Sequence, residues 1–115
     1  MEAIDDHRTA VVDGAAQEII QLERLIQACR QMQDQLQMSL ALMDQGYTMT
    51  TILSRDGTAG VIPQLTEALD RTNASRRIAR GAMIRLALAE GMNTTRLGER
   101  LGISRQLVAR YRDEV

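Results

Sequence analysis

Several residue types on which common folds and sites depend are rare or absent in this chain. Phe and Trp are missing and Tyr occurs only twice, which excludes a large aromatic core. The single Cys, Cys29, and the single His, His7, exclude a disulfide framework within the chain and a metal site with several Cys and His ligands. They also leave no Ser/His/Asp or Cys/His catalytic set, and no glycine loop for a phosphate is present. We therefore expect neither an enzyme nor a cofactor.

Lysine and long apolar runs are missing as well. All fourteen basic residues are Arg, which together with the many Ala is typical of a GC-rich bacterial or phage genome. No stretch approaches the ~18 consecutive apolar residues of a membrane-spanning helix, and the acidic start of the chain is unlike a signal peptide. We therefore expect a cytoplasmic, nucleoid-associated protein without a membrane partner.

The residues that are present favour helices, and the charges divide the chain in two. Ala, Leu, Ile and seven Met provide the apolar side chains, as they do in helical bundles and coiled coils. Residues 1–70 hold four Arg against eleven acidic residues, whereas residues 71–115 hold ten Arg against four. The net charge of -1 thus combines an acidic half of -7 with a basic half of +6, and the basic half suits a nucleic-acid partner.

Residues 5–45 are predicted to form one long helix that dimerises the protein. Their apolar residues recur at alternating intervals of three and four, which is the heptad pattern of a coiled coil. Such a helix would be roughly 60 Å long at about 1.5 Å per residue, too long for the rest of the chain to cover, so a second copy is the natural cover. Ala16, Leu25 and Met32 widen the apolar stripe, which indicates more than one neighbour. The predicted dimer seam, with Cys29 as a small buried residue, consists of Ile19, Leu22, Ile26, Cys29, Gln33, Leu36, Leu40 and Met43.

Residues 46–62 are the least regular part, with a predicted short helical turn and a connection at residues 56–60. Pro63 suits the first position of a further helix. The apolar phase favours a single helix to about residue 90, although Asn73 and the two residues after it could cap a new one. Gly91 is then expected to end that helix, and Asn93 to cap the next.

The last 22 residues have the pattern of a helix-turn-helix. Leu97 and Leu101 stand one turn apart on the first helix, with Gly98 between them where two helices cross closely. Gly102 suits the left-handed residue that ends this helix. Ser104 can cap a second helix at about residues 105–113, whose buried side is expected to hold Val108 and Tyr111. Small helix pairs also occur as plain packing units, but the basic surroundings favour DNA binding.

The outward side of this helix pair carries the predicted DNA contacts. The second helix of a helix-turn-helix enters the major groove, where Arg bonds guanine and Gln bonds adenine through two hydrogen bonds each. The predicted base-reading residues are Arg105, Gln106, Ala109 and Arg110. Hydroxyls at helix N-termini and other Arg of the basic half suit phosphates. The predicted phosphate-contacting residues are Ser104, Thr94, Thr95, Arg76, Arg77, Arg80, Arg96 and Arg100.

Residues 84–112, including the run Ser-Arg-Gln-Leu-Val from Ser104 to Val108, resemble the three-helix DNA-binding domain of bacterial resolvases, invertases and small transcription regulators. The resemblance covers about the last third of the chain. It implies major-groove binding with contacts from Ser104, Arg105, Gln106, Ala109 and Arg110. Gly98 departs from the family, which usually has Ala there. Recombinase chemistry is not implied, because residues 1–62 read as helix and short loops.

The sequence thus predicts an all-α chain with a dimerisation helix and connecting loop at residues 1–62. A helical linker and a helix-turn-helix domain without a wing follow at residues 63–115. The predicted function is sequence-specific binding of double-stranded DNA by a homodimeric transcription regulator. The alternative is a coiled-coil adaptor whose N-terminal helix tethers another protein to DNA, such as a polymerase, recombinase or partition partner.

Overall fold

The computed structural model describes residues 2–55 and 60–114, and within these ranges it contains five α-helices and no strand. The helices are α1 (Glu2–Asp44), α2 (Met49–Leu53), α3 (Val61–Ala89), α4 (Thr94–Leu101) and α5 (Arg105–Asp113). The predicted all-α fold with a long N-terminal helix is confirmed. The connection predicted at residues 56–60 lies, except for Gly60, outside the described residues. No helix in the described ranges has both the length and the apolarity needed to cross a membrane.

Helix α3 is a single helix, so no new helix starts at Asn73. Pro63 is its third residue instead of its first, a position where the missing N–H still costs no intrahelical hydrogen bond. The helix ends as predicted at Gly91, which has a φ of 105°. The Gly91 and Met92 N–H groups donate to the carbonyls of Leu88 and Ala87 at 3.1 and 3.0 Å. These bonds satisfy carbonyls that the helix end leaves free.

The chain forms two compact units, and α1 and α3 contribute to both. The first unit comprises residues 1–19 and 74–115, and the second unit comprises residues 20–73. The predicted boundary at residue 62 separates a dimerisation part from a DNA-binding part by their expected functions, and it stays a prediction.

In the first unit, small side chains bring the start of α1 against α3. Gly14 is buried, and a Cβ at this position would lie 3.1 Å from the Cα of Ala79. Ala79 and Ala82 on α3 are buried as well. The two helices therefore approach too closely for larger side chains at these positions.

In the second unit, α1 and α3 run antiparallel. Thr72 is buried, and its hydroxyl donates to the Ala68 carbonyl of its own helix at 2.8 Å and lies 3.3 Å from the Gln21 carbonyl of α1. Farther along α1, Gln35 lines the same shallow depression as Val61 at the start of α3. The side of α1 that faces the rest of the second unit consists of Gln21, Leu25, Ala28, Met32, Gln35, Ser39 and Leu42, all buried or half-buried.

Each residue of the predicted dimer seam directly follows, along the chain, a residue of the stripe that faces the rest of the chain. The seam therefore lies about 100° round the helix axis from that stripe. The helix α1 was expected to be too long for the rest of the chain to cover, and α3 covers one stripe of it, through Leu25 and Met32. Leu25 and Met32 are half-buried against α3, whereas Ala16 is exposed, and a further neighbour for α1 in a second copy stays a prediction. Cys29 is exposed in the single chain, since it follows Ala28, which faces α3, and its predicted burial in a dimer seam stays a prediction. All eight residues of the predicted seam are exposed in the chain.

Candidate nucleic-acid interface

Helix α4 begins at a capping side chain and ends at a left-handed glycine, and the sequence predicts both residues. Asn93 has an extended backbone, and its Oδ1 accepts a hydrogen bond from the Arg96 N–H at 2.8 Å. The helix ends at Gly102, whose φ of 68° and ψ of 31° lie in the left-handed region. Both predicted roles are confirmed, and together they set the direction in which the chain leaves α4.

Gly98 is the point of closest approach between α4 and the turn. A Cβ at this position would lie 2.8 Å from the carbonyl oxygen of Ile103 and 3.5 Å from the backbone nitrogen of Arg105. The Ile103 N–H in turn donates to the Gly98 carbonyl at 3.0 Å. The expectation of a close approach at Gly98 is confirmed, and its partner is the backbone of the turn. Leu97 is buried, whereas Leu101, one turn further along α4, is 45% exposed.

Helix α5 starts at a capped N-terminus. Ser104 has an extended backbone, and its Oγ accepts from the Leu107 N–H at 3.0 Å, as predicted. Val108 is fully buried, and Tyr111 is half-buried against the same core. The buried side of α5 therefore agrees with the sequence analysis, and the opposite side faces solvent.

One apolar cluster holds α3, α4 and α5 together. Ile84 of α3, Leu97 of α4 and Val108 of α5 form its buried centre. Burial of such a side chain stabilises a fold by about 1.5 to 3 kcal/mol. The partly buried residues around the centre are Ala87, Leu88, Met92, Ile103 and Tyr111. The arrangement of α5 against α4 is thus set by packing as well as by the turn.

The predicted base-reading residues all lie on α5. Arg105, Gln106 and Arg110 are exposed, and Ala109 is half-buried. Arg105 shares a shallow depression with Thr95 of α4, which brings one predicted base reader next to one predicted phosphate contact. Glu99 lines the same depression, although the sequence analysis gave it no role. A carboxylate there repels phosphate oxygens and can accept a hydrogen bond from cytosine N4.

The predicted phosphate contacts are spread over three helices. Thr94, Thr95, Arg96 and Arg100 lie on α4, and Ser104 caps α5. Of this set, Thr94 is half-buried and the others are exposed. The remaining predicted residues, Arg76, Arg77 and Arg80, lie on α3 and do not line the depression that Thr95 and Arg105 share.

Arg77 is paired with an acidic residue at the end of the chain. Its guanidinium donates a hydrogen bond to the Glu114 carboxylate. This hydrogen bond is the largest cause that lowers the pKa of Glu114, with further contributions from the positive charges of Arg77, Arg110 and Arg85. The same contact raises the pKa of Arg77. A phosphate at Arg77 would therefore have to compete with Glu114.

Arg85 holds the end of α5 against α3. Its Nη1 donates to the backbone carbonyls of Tyr111 at 2.8 Å and Glu114 at 2.9 Å. In the sequence Arg85 is one more basic residue, and no local signal marks a contact between residues so far apart along the chain. Its hydrogen bonds give it a positioning role for the candidate interface.

Comparisons of the chain with protein families, with curated proteins and with solved structures find no match. The likeness of residues 84–112 to the resolvase and invertase DNA-binding domains therefore stays a prediction. Among the described residues, no group of three or more His, Cys, Asp or Glu side chains is placed to hold a metal ion.

Proposed function

We propose that the protein binds double-stranded DNA in a sequence-specific manner as a homodimeric transcription regulator, with α5 in the major groove. One observation carries the proposal. The first turn of α5 exposes Arg105 and Gln106 beside the exposed end of α4, and the Gly98 contact and the buried core hold the two helices in one arrangement. Such rigid presentation is what direct reading of base edges requires.

The exposed side of α5 supplies the chemistry for reading bases. Arg105 matches the O6 and N7 atoms of guanine, and Gln106 matches N6 and N7 of adenine. Arg110 lies further along the helix, where it reaches another base or a phosphate. Ala109 is half-buried and small, which suits contact with a thymine methyl group.

Contacts to the DNA backbone would come from the helix N-termini and the basic side chains near them. The Ser104 hydroxyl accepts the capping hydrogen bond from Leu107 and keeps its own hydrogen to donate to a phosphate oxygen. Thr95 lies in the first turn of α4, where free N–H groups favour an anion. Exposed Arg96 and Arg100 add attraction that does not depend on sequence.

Dimerisation would present this interface twice. Two half-sites one DNA turn apart require recognition helices about 34 Å apart. Linking two weak interfaces raises affinity through effective concentration, without a new contact. The predicted seam on α1 is exposed and thus available to a second copy.

The adaptor alternative loses the feature that favoured it. In the sequence, the apolar stripe on the first helix is wider than a simple homodimer needs. Because α3 covers Leu25 and Met32 of that stripe, its width requires no additional protein partner.

The test compares two Arg variants on DNA selected from a random pool. Arg105→Ala should cost about 1 to 3 kcal/mol of binding on the selected site and relax the preference at one base pair. Arg100→Ala, a matched removal of one exposed Arg from α4, should weaken binding to all sequences alike and reduce the salt dependence. Equal losses on selected and random DNA for Arg105→Ala would show that this residue reads no base.

A further inference from the structure

We propose that the second unit dimerises through a single apolar face built from both α1 and α3, so that two helical hairpins pack face to face into a four-helix bundle. This proposal deepens the homodimer of the proposed function and rests on it. It differs from a coiled coil of α1 alone, because residues of α3 become part of the interface.

Both helices of the second unit expose large apolar side chains. On α1 these are Leu22, Ile26, Leu36, Leu40 and Met43, with exposed fractions between 42% and 65%. On α3, Ile62 and Leu69 are 50% and 44% exposed. Cys29 is exposed on α1 between Ile26 and Leu36.

Helix geometry places these side chains on one side of the hairpin. Each of them directly follows a buried or half-buried residue of its own helix, as Leu22 follows Gln21 and Leu69 follows Ala68. Successive residues of an α-helix are rotated by about 100°, since a turn holds about 3.6 residues. Seen from one end of an antiparallel pair and followed along their chains, the two helices turn in opposite senses. The apolar residues of α1 and those of α3 are therefore rotated toward the same side of the pair. Leu22, Ile26, Ile62 and Leu69 therefore belong to one continuous face.

The opposite face of the same hairpin is mostly polar. Residues that directly precede the covered stripe include Arg24, Gln27 and Asp34 on α1. On α3 they include Glu67 and Arg71, which form a salt bridge at 2.5 Å. Ile20 and Met38 are the apolar exceptions. The hairpin thus has one polar face and one exposed apolar face.

The size and chemistry of the face fit a second copy of the chain. Its seven large apolar side chains are each 42% to 65% exposed, and a standard protein interface, which takes about 800 Å² from each partner, would cover such a set of side chains. No charged residue occupies its positions on α1 between Leu22 and Met43 or on α3 between Ile62 and Asn73, so no complementary charge is required of a partner. A two-fold axis can pack such a face against itself. Antiparallel helix pairs that bury one apolar side in this way form four-helix bundles.

The test measures the oligomeric state of the full chain by sedimentation velocity. We expect a dimer at micromolar concentration. Leu69→Glu should raise the dimer dissociation constant by about 100-fold or more, because an unpaired charge would enter the interface. Gln64→Glu, on the polar side of α3, is the matched control and should leave the dimer unchanged. A wild-type monomer at these concentrations would overturn the proposal.

Two further results separate the hairpin interface from its alternatives. If Leu36→Glu on α1 dissociates the dimer but Leu69→Glu does not, a coiled coil of α1 alone replaces the proposal. The rate at which a thiol reagent modifies Cys29 should fall as the wild-type concentration rises, and this measurement needs no variant to fold. A constant rate would contradict burial of the face.

DNA binding and the hairpin interface can be refuted independently of each other. A wild-type dimer that binds no DNA would refute DNA binding and leave the interface standing. A folded Leu69→Glu monomer that still binds DNA in a salt-dependent manner would support both, because its α4 and α5 are unaltered.

Discussion

Gly98→Ala should destabilise the protein, although Ala is the better helix former. Replacement of a helical Gly by Ala normally stabilises a helix by roughly 0.5 to 1 kcal/mol. Here the added Cβ would lie 2.8 Å from the Ile103 carbonyl oxygen, which is backbone and cannot rotate away. Overpacking of this kind costs about 1 to 3 kcal/mol, so the free energy of unfolding should fall by about 1 kcal/mol.

The measurement is urea unfolding followed by circular dichroism, with Gly102→Ala as the comparison. A Cβ at Gly102 would meet nothing within 4 Å, but the φ of 68° should cost roughly 1 to 2 kcal/mol for an L side chain. Gly102→Asn should recover part of this loss, because Asn tolerates the left-handed region. Gly98→Asn should not recover stability in this way, because any Cβ at Gly98 would lie too close to the Ile103 carbonyl oxygen.

DNA binding should respond to Gly98→Ala as well. A shift of the turn changes the direction of α5, so the affinity for a selected site should fall more than the affinity for random DNA. A Gly98→Ala protein that is more stable than the wild type would refute the close approach.

Three further predictions concern single side chains of the first unit. Ser104→Ala should lower the free energy of unfolding by about 1 kcal/mol in urea titrations, because the Leu107 N–H loses its acceptor; an unchanged midpoint would argue against the cap. Because Arg77 lowers the pKa of Glu114, that contact stabilises the fold above the ordinary carboxyl pKa and is lost as pH falls through the lowered value. NMR titration of Arg77→Ala should return the Glu114 pKa toward its ordinary value, and an unmoved pKa would contradict the pairing. Glu99→Gln should strengthen binding to all DNA sequences in fluorescence anisotropy, unless the carboxylate contacts a base.

Local signals made much of the C-terminal part of the fold predictable. Asn93, Gly102 and Ser104 act on backbone groups within a few residues, so residue type and position suffice to predict their caps and turn. The buried residues Leu97 and Val108 follow from helical periodicity in the same way. Leu101 satisfied that periodicity equally well, yet it is exposed, since periodicity alone does not say how far along α4 the core extends.

The cover of α1 was harder to predict because two adjacent stripes of this helix share the heptad spacing. The stripe through Ile26 is the more apolar one, and its pattern predicts a partner helix from a second copy. The stripe through Ala28 contains Gln21, Gln35 and Ser39, yet α3 covers it. The Thr72 hydroxyl lies 3.3 Å from the Gln21 carbonyl in that contact, a polar approach that an apolar pattern does not encode.

The exposed residues of the candidate interface could be predicted from the sequence, but the contacts between residues far apart in the chain could not. Arg105, Gln106 and Arg110 follow from their positions relative to the buried side of α5. The contacts of Arg77 with Glu114 and of Arg85 with the end of α5 join residues that are 26 to 37 positions apart. Charge counts along the sequence cannot distinguish such paired Arg from free ones.

The central claim is that α5 reads bases, and the most direct measurement compares binding to selected and random DNA at one fixed salt concentration. The full chain should be titrated by fluorescence anisotropy near physiological salt. The account predicts that the selected duplex is bound about 1,000-fold or more tightly than random duplex, as specific DNA-binding proteins do. Equal affinity for the two duplexes would contradict it.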